Sequence, residues 1–198
     1  RARREGGVMQ LDLAFDAEAH EYKLSGVRIP SVTQVLSFGQ DLSRIPRWTA
    51  ERGTAFHLAT EYDDEGDLDE ESVDALVRPH LTAYQTWKRG QNPRYLNTEF
   101  KVWGEIDGRK FAGTIDRVLR TSRELLEVWD LKSGSPRKEH GAQVAAYKLA
   151  YEQRTNQSVD RIACLYCQKD GAPLPKYYPA DECLGEFRKA LFRWWDAQ

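Results

Sequence analysis

The sequence predicts an α/β fold, a mixed central β-sheet flanked by helices, with a β-hairpin and a helical segment ahead of it. Three observations predict it. Apolar residues recur at helical spacing from Val73 to Trp87, behind a further helix-like stretch over 46–62. Three short runs rich in β-branched and aromatic residues, separated by turn residues, follow over 95–131. An alanine-rich helical stretch, 139–154, then stands between that meander and a further strand-like run, 159–167. The order of helices, meander, helix, strand and helix suggests helices packed on both faces of the sheet.

Taken in order, His20–Leu24 and Val27–Ile29 flank Ser25-Gly26, a two-residue hairpin signal. Pro30-Ser31 opens a short helix through Leu36, with Ser31 as N-cap. A longer helix begins at Ser43 or Pro46 and runs to about Tyr62, with apolar weight from Trp48, Phe56 and Leu58. Gly53 interrupts it, at a cost near 1 kcal/mol relative to alanine. Val73, Leu76, Val77, Leu81, Tyr84 and Trp87 predict the next helix, ending near Gly90 as its C-cap. Strands follow at Tyr95–Trp103, Lys110–Leu119 and Leu125–Leu131, with turns at 104–109 and 121–123. After Ser133-Gly134-Ser135-Pro136 come the helix Glu139–Arg154, strands at Val159–Cys167 and Leu174–Tyr178, and an amphipathic helix, Glu182–Trp195. We expect one domain over 1–198: hairpin and short helix to 42, helical segment 43–92, core 93–198.

At 198 residues, with 40% hydrophobic and 11% aromatic content, the chain can build a real core. No apolar run approaches the roughly 20 residues of a membrane span. Arg1-Ala2-Arg3-Arg4 has no apolar segment behind it, which argues against a secretory signal and for a cytoplasmic protein. The net charge of −2 is unevenly spread, because residues 63–74 hold eight acids and no base. The remainder is therefore net basic, compatible with a phosphate-backbone partner without requiring one. Acidic runs of this kind usually face water. Cys164, Cys167 and Cys183 are too few for a disulfide framework. A four-thiolate site would lack a ligand, so buried free thiols are the expectation.

The chemistry concentrates in two stretches, Gly113-Thr114-Ile115-Asp116 and Asp130-Leu131-Lys132. Aspartate is depleted in strands, so each acid needs a reason to be there. Side chains alternate along a strand, so Asp130 and Lys132 project from one face. A hairpin turning near 122–123 puts Asp116 opposite or diagonal to Asp130, although a one-residue slip would undo this. Two carboxylates and an ammonium at one point suit a hard divalent cation and phosphodiester hydrolysis. Lys132 would aim or deprotonate the attacking water, or meet charge on the phosphorus. The alternative is a salt-bridged pair at a strand edge.

Gly113-Thr114-Ile115-Asp116 with Asp130-Leu131-Lys132, fourteen residues after the first acid, resembles the core of the PD-(D/E)xK nucleases. Gln143 and Tyr147 are similar to the QxxxY motif of its RecB-like and mitochondrial genome maintenance exonuclease-like subgroup. Gly53-Thr54-Ala55-Phe56-His57 resembles the upstream glycine-to-histidine motif, and Pro30-Ser31-Val32-Thr33 a segment of phage-type members. Ile115 stands where the superfamily name has proline. The resemblance, over about residues 28–170, implies a restriction-endonuclease-like core and a metal-dependent DNA exonuclease of bacterial or phage origin, acting on linear or single-stranded DNA in recombination or repair. It implies Asp116, Asp130 and Lys132 as catalytic residues, and His57, Asp116 and Asp130 as ligands of Mg2+ or Mn2+. It implies Gln143 and Tyr147 along the DNA path. With no upstream cysteine, it implies the branch without an iron–sulfur cluster. Ser133 could offer a backbone donor to a phosphate, and Arg137 and Lys138 add charge beside it. Arg44, Arg47 and Arg52 are further phosphate candidates. Glu61 either assists a second metal through water or is a solvated helix acid. A structure-selective endonuclease and a non-catalytic DNA-binding module remain the alternatives.

Overall fold

The computed structural model describes residues 12–17, 19, 21–41, 43 and 46–198. His20, Arg44 and the side chain of Arg47 lie outside what is described. Two sheets form. A small antiparallel one joins β1 (Leu13–Asp16), β2 (Glu21–Leu24) and β3 (Val27–Ile29) in sequence order. The hairpin strands match the expectation, and β1 is an addition held partly by Phe15 packing on Tyr22, with ring centroids 4.6 Å apart. The main sheet runs β4 (Arg94–Ile106), β5 (Arg109–Arg120), β6 (Leu126–Lys132), β7 (Arg161–Cys167) and β8 (Pro173–Tyr178). Only β6 and β7 are parallel, because α4 (Glu139–Thr155) carries the chain back between them.

Local chemistry accounts for most element boundaries. Ser31 caps α1 (Val32–Ser37) in a capping box, its side chain accepting from the Gln34 amide while Gln34 accepts from the Ser31 amide. α2 (Arg47–Glu65) runs straight through Gly53 and ends at Gly66, which has a left-handed φ of 76°. The following helix begins later than its apolar spacing predicts. A 3-10 turn occupies Glu70–Ser72, and α3 spans Arg78–Gln91 with Pro79 in its first turn. Proline lacks the N–H and clashes with the preceding turn of a helix, so it fixes the start there. Val73 and Val77 consequently reach the core from a loop, and Leu76 is left exposed. Asn92, not Gly90, is the C-cap of α3, at φ 45°. The predicted turn over 104–109 shrinks to Asp107-Gly108, both at positive φ, so β4 and β5 run longer than expected.

The main sheet divides the core in two. Phe111, Ile115, Val118, Val128 and Ile162 pack against α1, α4 and α5 (Ala180–Asp196). Leu119, Trp129, Leu131 and Leu165 face Phe56 of α2 and Leu81, Tyr84 and Trp87 of α3. Of the three apolar residues expected to anchor α2, only Phe56 does; Trp48 and Leu58 face outward. The small sheet covers Trp103 and Ala112 with Tyr22, Leu24 and Ile29. Among the described residues no helix is long and apolar enough to cross a membrane.

The alanines of α4 let it lie close to the sheet, and Gly113 completes the fit. A β-carbon there would sit 2.5 Å from Cε1 of Tyr147, a buried ring with little room to move. Gly113→Ala should therefore destabilise the fold by about 1–3 kcal/mol, lowering the thermal midpoint by several degrees. An unchanged midpoint would show that Tyr147 yields freely and that this close approach does not constrain α4.

Candidate active site

The β5–β6 ladder runs from Arg120 opposite Leu126 to Arg117 opposite Trp129, and there the two strands part. β6 continues beside β7, with Asp130 opposite Cys164 and Lys132 opposite Tyr166. β5 continues beside β4, with Arg117 opposite Thr98 and Ile115 opposite Phe100. On the freed side of β5, the Ala112 amide donates to Pro30 O at 2.9 Å, and Ser31 forms a parallel bridge to Ala112. The Pro30-Ser31 segment thus occupies the opening of a fork. At the crotch of the fork, Asp116 Oδ2 accepts the Leu131 amide at 2.5 Å, a side chain taking the place of the lost ladder partner.

This register sets Glu99, Asp116 and Asp130 at one level on three successive strands. His57, on α2, completes one end of the row. Its Nδ1 lies 3.6 Å from Asp116 Oδ2 and 3.9 Å from Glu99 Oε1. Ligand atoms of His57, Glu99 and Asp116 all fall within 4.8 Å of one another, among the described residues the one such group of three potential ligands. Lys132 completes the other end, with Nζ 2.7 Å from Asp130 Oδ2. Gln143 on α4 joins the two: its Nε2 donates to Asp130 Oδ1 at 3.0 Å, and its Oε1 accepts from Lys132 Nζ at 3.1 Å. Tyr147, one turn along, has its hydroxyl 3.0 Å from the same Nε2.

The residues expected at a catalytic centre, Asp116, Asp130 and Lys132, are thus brought together. Asp130 stands outside the His57–Glu99–Asp116 cluster, its carboxylate directed at Lys132 and Gln143. Gln143 and Tyr147 share a face of α4, as their spacing requires, but both are buried and bonded within the site. Ser133 and Arg137 leave β6 on a largely exposed loop beside Lys132. The Ser133 carbonyl accepts from Arg52 Nη2 at 3.1 Å, which ties α2 to that loop. Glu61 is not among the three clustered ligands.

Glu99 was missed in the sequence, although the signal was there. It is an acid inside the strand run Tyr95–Trp103, the same anomaly that marked Asp116. Its φ of +47° is a left-handed backbone that costs a non-glycine residue energy, as functional sites often do. The two sulfurs of the CxxC reach opposite cores, Cys164 toward α4 and Cys167 toward α3, so they cannot share one ion.

Burial raises the Asp116 carboxyl above the ordinary range, and neighbouring Glu99 adds to this against the pull of His57. Burial likewise raises Asp130, opposed by Lys132. Burial alone would lower Lys132, but Asp130 and Asp116 outweigh it and hold the ammonium protonated. His140, on the first turn of α4, goes the other way. Burial, reinforced by Lys132, lowers it to about 4, so it is a neutral partner of the Tyr166 hydroxyl. Carboxylates facing each other across a ladder repel unless a cation lies between them. Two carboxylates and one imidazole form an oxygen-rich donor set that fits a hard divalent ion and tolerates manganese.

The model of one family, the PD-(D/E)XK nuclease superfamily, matches residues 36–193, well over half of the sequence. The chain belongs to the PD-(D/E)XK nuclease superfamily. No curated protein matches it. A crystal structure from Eubacterium rectale, of a protein provisionally described as an exonuclease, aligns with a TM-score of 0.54 at 14% identity over 83% of this chain and 79% of its own. At that identity it attests the fold, which is restriction-endonuclease-like. A structure of SSO0001 aligns at TM-score 0.38 and 15% identity over 82% of this chain and 83% of its own, too distant to carry an argument. In this nuclease the fork between β5 and β6 is where the family motif residues meet.

The raised acids set a stability test. A carboxyl whose folded pKa is raised stabilises fully below its unfolded value, about 3.9, and loses that contribution as pH rises through the folded value. Asp116→Asn should therefore be as stable as the metal-free wild type or more so at neutral pH, with the difference shrinking in acid. Adding Mn2+ at about 100 times its Kd should stabilise the wild type by about 2.7 kcal/mol and the variant hardly at all. Thermal unfolding with and without metal measures both effects. An equal metal-induced shift in the variant would remove Asp116 from the cation site.

Proposed function

We propose that this nuclease is a divalent-metal-dependent deoxyribonuclease, acting as an exonuclease on linear DNA ends or single strands in recombination or repair. The observation that carries the reading is the row Glu99, Asp116 and Asp130, with His57 at one end and Lys132 at the other. A phosphodiester needs a water aimed at phosphorus and positive charge to meet the developing negative charge. His57, Glu99 and Asp116 would hold the ion, with Asp130 beside them in reach of the same substrate. Mg2+ or Mn2+ in that place supplies Lewis acidity and a more acidic water. The chain's own groups do the rest. Lys132 is a protonated point charge at the end of β6, held in line by Asp130 and Gln143. Water adds to phosphorus, the bond to the leaving oxygen breaks, and that oxygen takes up a proton.

The binding roles follow the same geometry. Ser133 and Arg137 lie on the exposed loop next to Lys132, so they are placed to contact the phosphates flanking the cut. Arg52 keeps a buried Nε without a partner while its Nη2 holds the Ser133 carbonyl, which makes it a further contributor to that path. Gln143 and Tyr147 lie beneath the path, and we assign them to holding the substrate once Lys132 turns from Gln143 toward a phosphate. The provisional exonuclease description of the Eubacterium rectale protein supports an end-directed activity.

Digestion of linear and closed-circular DNA with magnesium tests the substrate. Loss of the linear form alone supports an exonuclease, nicking of circles an endonuclease, and no cleavage a binding module. Lys132→Ala should lower single-turnover cleavage by about 10²–10³ while metal binding and folding persist. Lys132→Arg should not restore it, since a planar guanidinium does not reproduce a compact ammonium. Cleavage near the wild-type rate in the alanine variant would end the assignment of Lys132.

A further inference from the structure

We propose that Arg117 is a positioning residue that sets the geometry of the cation site from behind; the inference rests on the nuclease reading above. Arg117 follows Asp116 directly, so its side chain leaves the opposite face of β5, where it is fully buried. Its guanidinium fans out to all three parts of the site. Nη1 donates to the Asp116 carbonyl at 2.7 Å and reaches Glu99 Oε1 at 3.4 Å. Nη2 donates to Thr60 Oγ1 at 3.0 Å, and the Thr60 hydroxyl donates to the carbonyl of His57 at 2.8 Å. Nε donates to Asp64 Oδ2 at 2.7 Å, which balances the buried charge. Asp64 is held in turn by the Tyr84 hydroxyl and by Lys88.

A buried ion pair is weak evidence for stability, since apolar groups of similar volume often serve as well, so its presence here calls for another reason. Apart from the Nε bonds to Asp64 and Tyr84, its hydrogen bonds go to Glu99, to the Asp116 carbonyl and, through Thr60, toward the carbonyl of His57. A rigid planar fork relates three atoms at set angles, which a flexible ammonium cannot do. The left-handed backbone of Glu99 also needs an external hold, and the guanidinium contacts its carboxylate. Groups that orient metal ligands typically change metal affinity by about 10–100-fold when removed.

The test is calorimetric titration of the full chain with Mn2+, well below the thermal midpoint, for wild type, Asp116→Asn, Arg117→Lys and Thr60→Val. Arg161→Lys, which alters the ion pair with Glu127 at the far end of β6, serves as a control for stability alone. Arg117→Lys should weaken Mn2+ binding by about 10–100-fold and Thr60→Val should weaken it less but in the same direction. Arg161→Lys should leave it unchanged whatever its midpoint. Should Arg117→Lys fail to fold, Thr60→Val decides. Wild-type affinity in the folded Arg117→Lys and Thr60→Val variants, with binding lost in Asp116→Asn, overturns the positioning role and leaves the metal site standing. No Mn2+ binding by the wild type overturns the nuclease reading, and this inference with it.

Discussion

The hydrogen bond from the Leu131 amide to Asp116 Oδ2 is the point on which the rest of the molecule turns. Two antiparallel strands that separate must leave backbone groups unpaired, and burying such groups without partners is costly. Here the carboxylate of Asp116, the first residue of β5 beyond the ladder, takes the amide of Leu131, two residues beyond it on β6. The fork can then open without an orphaned donor, and Pro30-Ser31 fills part of the opening on the β5 side. An acid that serves as a structural acceptor is thereby held in a buried place where water alone would not keep it. The same constraint ranks three carboxylates in a row, because register carries the alignment from β4 through β5 to β6.

Such a row must be balanced, and the balance comes from both sides of the sheet. Lys132 meets Asp130 from the α4 side, while Arg117 lies behind Glu99 and Asp116 on the α2 and α3 side. Arg117 touches the cluster only at Glu99 Oε1 and Lys132 pairs with Asp130, so the ligand atoms of Glu99, Asp116 and His57 still converge where a divalent ion would fit. The raised carboxyls of Asp116 and Asp130 follow first from burial, to which the neighbouring carboxylates add. Stability and function therefore pull in opposite directions at this site, as is common where charges are gathered for chemistry.

The helices act as supports for this row. α4 can lie low on the sheet because its inner face is alanine and because Gly113 and Gly104 present no side chain beneath it. That closeness puts the amide of Gln143 within reach of Asp130 and Lys132. α2 is steered differently: Phe56 anchors it in the second core, Arg52 ties it to the loop after β6, and Thr60 links it to Arg117. His57 is aimed at Asp116 by three attachments on neighbouring turns.

The sequence by itself determined the strands and helices other than β1 and the start of α3, and it singled out Asp116, Asp130 and Lys132. These follow from periodicity and from acids standing where strands seldom carry them, and Asp116, Asp130 and Lys132 were legible for that reason. The capping box at Ser31 was half legible, since Ser31 was read as a cap and Gln34 was not. Tertiary structure decided the remainder. Glu99 became a site residue only when β4 was laid beside β5 in register, and Arg117 became part of the site only when α2 and α3 closed over the other face. The late start of α3 came from Pro79 prevailing over an apolar pattern that continued upstream of it. Periodicity reports which way a side chain points, but not which partner from a distant segment will meet it. That partner is set by register and by the packing of layers, and both are properties of the folded chain as a whole.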